Sequence, residues 1–201
     1  MSSSASHPVR WLERIAAVAC IALGVALGLT TLTSTAPAQT RQKASPPVLV
    51  TSIGQSLDAF QVQLVVKRAG IAFQYDPRAE ADKLAEVKTV FLAVGASLKG
   101  FGDAGITIKD ELARTGKLLD AAKASGTTIV VLHLGGEERR DVLSNQLIEL
   151  TAPRAHQLII REDSDADGMF AGIAKAGNIP LTVIDNVINL RKPLQEMFAG
   201  G

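Results

Sequence analysis

The chain has 201 residues, 21 of them basic and 20 acidic, and a net charge of +1; 47% of its residues are hydrophobic and only 4% aromatic. A near-neutral chain without a basic stripe excludes nucleic acid as an expected partner, and its length suits one domain with room to bury a core. With so few aromatics, that core must be built from Val, Ile, Leu and Ala.

Residues 1–38 have the three parts of a secretory signal peptide. Arg10 and Arg14 lie near the start, residues 15–29 form an uncharged apolar run, and Ala36-Pro37-Ala38 supplies an A-x-A end. Cleavage is expected after Ala38, giving a periplasmic or secreted protein with no stable membrane insertion. Two alternatives stay open. An uncleaved anchor would use residues 30–38 to approach the roughly 20 residues of a span, and a lipoprotein would use Cys20. Because Cys20 is the only cysteine, the cleaved chain has neither disulfides nor a thiolate zinc site.

Residues 39–47 are polar and end in Pro46-Pro47, which reads as a flexible tether before a single α/β domain over 48–201. A strand is expected at 48–52, then a helix over 57–69 capped by Ser56 and stopped by Gly70. Residues 71–75 read as a second strand. The run TVFLAV at 89–94 has the continuous apolar character of a central parallel strand. A glycine-rich loop follows, then a helix over 108–124, a strand over 127–134, a helix over 140–150, a strand over 157–161, a helix over 168–176 and a last strand over 180–184. This alternation predicts a doubly wound, mainly parallel sheet, a Rossmann-like or flavodoxin-like three-layer sandwich, with 48–52, 89–94 and 127–134 side by side.

In such a sheet, ligands bind outside the carboxyl ends of the strands, where strand order reverses. The first loop there offers Thr51, Ser52, Gly54, Gln55 and Ser56, running into a helix start suited to an anion. The second offers Gly95, Ser97, Lys99 and Gly100. Although Gly100, Gly102 and Gly105 match G-x-G-x-x-G, they lie after the third strand and well beyond its end, so a dinucleotide is not expected. The third offers His133, Gly135, Gly136 and Arg139; adjacent arginines on a helix point about 100° apart, so at most one of Arg139 and Arg140 faces the cleft. Lys99 and Arg139 are expected to converge there.

Asp163, Asp165 and Asp167 open like an EF-hand loop, but the twelfth position is Ala174 instead of the closing Glu. A solvated acidic turn capping the next helix is the reading preferred. No metal, cofactor or catalytic set is assigned.

The stretches VTSIGQS, KTVFLAVGASLKGFGDAGI, LHLGGEERRDVLS and DGMFAGIAKAGNIPLT resemble a bacterial family known as domain of unknown function 6305. The resemblance covers most of the chain after residue 38 and implies one domain; it implies no activity.

Two functional readings follow. The first is an exported module that binds a small anionic molecule at the strand ends, acting with a second copy or a transporter partner. The alternative is a small hydrolase in which Ser52, Ser56 or Ser97 is activated by His133, with Asp163 orienting the imidazole.

Overall fold

Six strands make one sheet in the computed structural model, which describes residues 43–199. They are β1 (Val48–Ile53), β2 (Phe73–Tyr75), β3 (Thr89–Val94), β4 (Thr128–His133), β5 (Gln157–Arg161) and β6 (Leu181–Ile184), in the order β2-β1-β3-β4-β5-β6. Every neighbouring pair is parallel. Val48 to Ile53 lie opposite Thr89 to Val94, and Thr89 to Ala93 lie opposite Thr128 to Leu132. All six positions of β1 and of β3 are buried, because helices cover both faces of the sheet and leave no polar side.

The helices are α1 (Asp58–Arg68), α2 (Leu98–Ala104), α3 (Ile108–Ser125), α4 (Val142–Thr151), α5 (Met169–Gly177) and α6 (Arg191–Phe198). Since side chains alternate along a strand, the strands feed two cores. On one face Leu49, Ile53, Val90, Leu92 and Val131 pack with Leu118, Leu119, Leu147 and Phe170 from α3, α4 and α5. On the other, Val48, Val50, Phe91 and Val130 pack with Val62 and Val66 of α1 and Leu194 and Met197 of α6. The α1 set, Ala59, Val62, Val65 and Val66, is the three-and-four spacing of an amphipathic helix.

The chain therefore leaves β1 towards one face and β3 towards the other. That reversal between adjacent strands opens a crevice at their carboxyl ends.

Four segments differ from the sequence reading. Residues 98–104, expected as a glycine-rich loop, form α2. Glycine is a poor helix former, but the Ser97 side chain accepts from Gly100 N and Gly105 closes the helix in the left-handed conformation at φ 65°. Residues 81–86 form a 3-10 segment, Ala81–Glu86, and α6 was not anticipated. The expected tether is packed where it is described: Ala44 is buried and donates to Met197 O at 3.2 Å, and Ser45 N donates to Thr89 Oγ1 at 3.1 Å. The expected signal peptide, and the tether as far as residue 42, lie outside the described residues.

Candidate functional site

The loops leaving β1 and β3 are zipped together. Gly95 N donates to Ile53 O at 2.9 Å, Ser97 N donates to Gly54 O at 2.8 Å, and Gln55 bridges Ala96. Gly54 has φ 104°, and a Cβ there would overlap Gly95 O, so only glycine allows this approach. Gly100 is needed for the same reason, because a Cβ on it would overlap Gln55 O.

A buried ion pair on α3 fixes this loop. Glu111 is fully buried; its Oε1 accepts from Gly54 N at 2.7 Å and from Gln55 Nε2 at 3.2 Å. Arg114 donates to Glu111 through Nε at 2.9 Å and Nη2 at 2.7 Å. It also reaches Ser52 O at 2.5 Å and Ala79 O at 2.7 Å. Sequence reasoning missed the pair. The signal was present, since Glu111, Arg114, Thr115, Leu118 and Ala122 form the buried stripe of α3, and charges on an apolar stripe demand partners. Of the first-loop candidates, Gly54 and Gln55 are thus tied to Glu111, and Ser52 Oγ donates to Ser56 O at 3.3 Å. Thr51 is fully buried inside β1.

A second polar group gathers over Gly95. A Cβ placed there would lie 3.2 Å from Asp58 Oδ2, 3.7 Å from Ser56 Oγ and 3.7 Å from Arg139 Cδ. Ser56 and Asp58 are buried, and Ser56 Oγ accepts from Asp58 N at 3.3 Å. Asp58 Oδ2 has no hydrogen-bond partner. Arg139 donates through Nη1 to Ala96 O at 3.0 Å; no other bond of its guanidinium occurs among the described residues. Gly135 lets Arg139 lie flat on the loop, since a Cβ would overlap its Cβ and Cγ, and Gly136, at φ 68°, makes the same room for Arg161. Arg161 is held above its ordinary pKa first by its bonds to Asp163, with the charges of Glu138 and Asp58 adding to this.

The structure thus brings together Ser56, Gly95 and Arg139 from three separate loops, with Gly135 beneath Arg139, and adds Asp58. Lys99 does not join them, contrary to the expected convergence. Its side chain is 85% exposed and pairs with Asp103 at 2.7 Å, one helical turn on, because α2 carries it away from the strand end. Ser97 is spent as the α2 cap.

His133 is also removed from the site. It is fully buried, with Nδ1 2.8 Å from Val94 O and Nε2 3.4 Å from Gly136 O, and its ring centroid is 5.4 Å from that of Phe170. Burial lowers its pKa below the ordinary value, and the two carbonyls oppose that only in part. Asp163 is bonded to Arg161. The expected set of serine, His133 and Asp163 is therefore not assembled.

Arg140, next to Arg139, serves the framework. It bonds Asn145 Oδ1 at 2.9 Å, Asp167 Oδ2 at 2.7 Å and Ser164 O, and lies over the Phe170 ring. Asp165 accepts from Phe170 N at 2.7 Å and Ala171 N at 3.0 Å. The acidic turn thus caps α5 and anchors Arg140.

Fold and site together define a doubly wound α/β domain with polar groups converging outside the carboxyl ends of β1, β3 and β4. The chain belongs to the family described as Domain of unknown function (DUF6305), whose model matches residues 45–198. It is also similar to a GDSL-like lipase from Bacteroides thetaiotaomicron, with 12% identity and a TM-score of 0.34, over 68% of this chain and 66% of that one, just under two thirds of its length. A chain assigned as an acylhydrolase, from Bacteroides fragilis, matches with 10% identity and a TM-score of 0.33 over 71% of each chain. Similarity of this degree transfers no activity. No curated protein sequence matches. Among the described residues, no helix is long and apolar enough to cross a membrane.

Proposed function

We propose that this domain binds a small ligand over Gly95, held by Ser56, Asp58 and Arg139. The observation that carries this reading is the Asp58 carboxylate: the residue is only 5% exposed, yet Oδ2 has no partner. An unpaired buried acceptor costs about 1–3 kcal/mol, a cost that a ligand donating to it removes. Arg139 beside it has N–H groups to spare for a carboxylate or phosphate. The ligand is therefore an anion that also carries an N–H or O–H donor; a bare anion would meet Asp58 as a like charge.

The signal-like features of residues 1–38 make this an exported domain in our reading, with a second copy or a transporter as partner. The hydrolase alternative needs a base for Ser56, and the fully buried His133, with Nδ1 2.8 Å from Val94 O, makes no hydrogen bond to Ser56; binding is the better reading.

N-acetylglycine has the required carboxylate and N–H and serves as probe, with propionate as the control that lacks the donor. Calorimetric titration is expected to give saturable binding of the first and weaker binding of the second. Arg139→Ala is expected to weaken the first by about 1.5–3 kcal/mol, the scale of a charge-assisted hydrogen bond. Equal binding to parent and variant would overturn the assignment.

A further inference from the structure

Three large apolar side chains stand in water at the same edge of the sheet. Leu57, Leu98 and Val142 are 74%, 76% and 73% exposed. Leu57 is the N-cap residue of α1, and Leu98 and Val142 are the first residues of α2 and α4. These three helices leave the carboxyl ends of β1, β3 and β4, which are consecutive in the sheet. Neighbouring strands are about 4.8 Å apart, so the three helix starts crowd one short stretch of edge. Moreover, α1 packs on one face of the sheet and α4 on the other, so the apolar groups flank the polar centre from both sides.

Scattered exposed hydrophobics are normal. Here, however, Leu57 takes the N-cap position of α1, where a polar residue is favoured because it satisfies free N–H groups, while Leu98 and Val142 directly follow the caps Ser97 and Asp141. They also border the place where the unpartnered Asp58 Oδ2 and the Arg139 side chain come together over Gly95.

We propose that the ligand is a small amphiphile. Its anionic group pairs with Arg139, an adjacent N–H donates to Asp58 Oδ2, and its apolar chain lies across Leu57, Leu98 and Val142. This rests on the polar site proposed above and adds the chain-bearing class of ligand. The side chains argue for a small molecule: Arg161, which also feels the Asp58 charge, is taken up by Asp163, and this leaves Arg139 and Asp58 Oδ2 for a single head group.

The test compares N-acetylglycine with N-octanoylglycine, below its aggregation concentration, on the full chain by calorimetry. The octanoyl compound is expected to bind at least tenfold more tightly, since burying about two methylene groups gives a factor of roughly ten. The triple variant Leu57→Ser, Leu98→Ser, Val142→Ser should lose that advantage and keep the acetylglycine affinity. Arg139→Ala should weaken both probes. Equal affinity of the parent for the two probes would overturn the amphiphile and leave the polar site standing, and it needs no variant to fold. An advantage that survives the triple variant would overturn it too. If neither probe saturates the parent, both readings are overturned.

Discussion

Beside the first strand one arginine and carboxylate form a closed ion pair, and another arginine and carboxylate lie near each other unpaired. Glu111 and Arg114 are buried together, and their polar atoms are taken up by each other, by Gly54 N and Gln55 Nε2, and by Ser52 O and Ala79 O. Asp58 and Arg139 both lie over Gly95 without an ion pair between them; one carboxylate oxygen is unpartnered and the guanidinium makes a single bond, to the backbone. A closed network fixes geometry, whereas an open one retains capacity for something else. The first pair holds in place the loop on which the second depends.

The largest effect is expected at the closed pair. Arg114→Ala leaves Glu111 buried without its counter-charge and frees two buried carbonyls. We expect a loss of about 3–5 kcal/mol in urea unfolding, the cost of breaking a buried ion pair on one side. A loss near zero would show that Glu111 is already satisfied by the Gly54 loop alone.

His133 gives a smaller effect that depends on pH. Its folded pKa is depressed by burial below 6.5, so as pH falls through the ordinary histidine range the unfolded chain takes up the proton first. Stability is then full above that range and falls as pH drops below it towards the folded value. His133→Gln can still donate to Val94 O and cannot titrate. Its urea midpoint is expected to depend less on pH between 7 and 5 than that of the parent. Identical slopes would mean that His133 is not the group responsible.

Asp58→Asn tests the open pair. It removes an unpaired buried charge, worth about 1–3 kcal/mol, and loses a favourable charge in the first turn of α1, worth about 0.3–1 kcal/mol. The net expectation is a more stable protein, by about 1 kcal/mol, that binds N-acetylglycine less well. A variant that is less stable than the parent would mark Asp58 as a framework residue.

The sheet was legible because parallel strands buried on both faces are continuous apolar runs: 89–94 and 157–161 match β3 and β5 residue for residue. The site was legible only in outline. Arg139, Ser56 and Gly95 follow from their loops, but Asp58 is hidden in sequence, since an acid in the first turn is what any helix start favours. Its missing partner is a fact of packing between three distant loops. Helix α2 was obscured because a glycine-rich run lowers helix propensity, while the tertiary contact between Gly100 and Gln55 that rewards those glycines has no local signature. In α6, Pro193 and its neighbours Arg191 and Lys192 mask a stripe of Leu194 and Met197 that is buried only because α1 lies beside it.

The smallest effect is expected at Lys99, which reads in the sequence as the equivalent of Arg139. Both are cations in strand-end loops rich in glycine. What separates them is direction. Lys99 lies in the first turn of α2 and reaches Asp103 across one exposed turn, a pairing of two solvated groups that salt screens and side-chain entropy offsets. Arg139 lies flat against Gly135, with its chain over Gly95. Lys99→Ala should therefore leave both the unfolding midpoint and the affinity for N-acetylglycine unchanged, at low and at high salt, while Arg139→Ala lowers the affinity alone. If Lys99→Ala weakens binding as much as Arg139→Ala does, then α2 must turn its lysine inward when ligand arrives, and the site extends to the second loop after all.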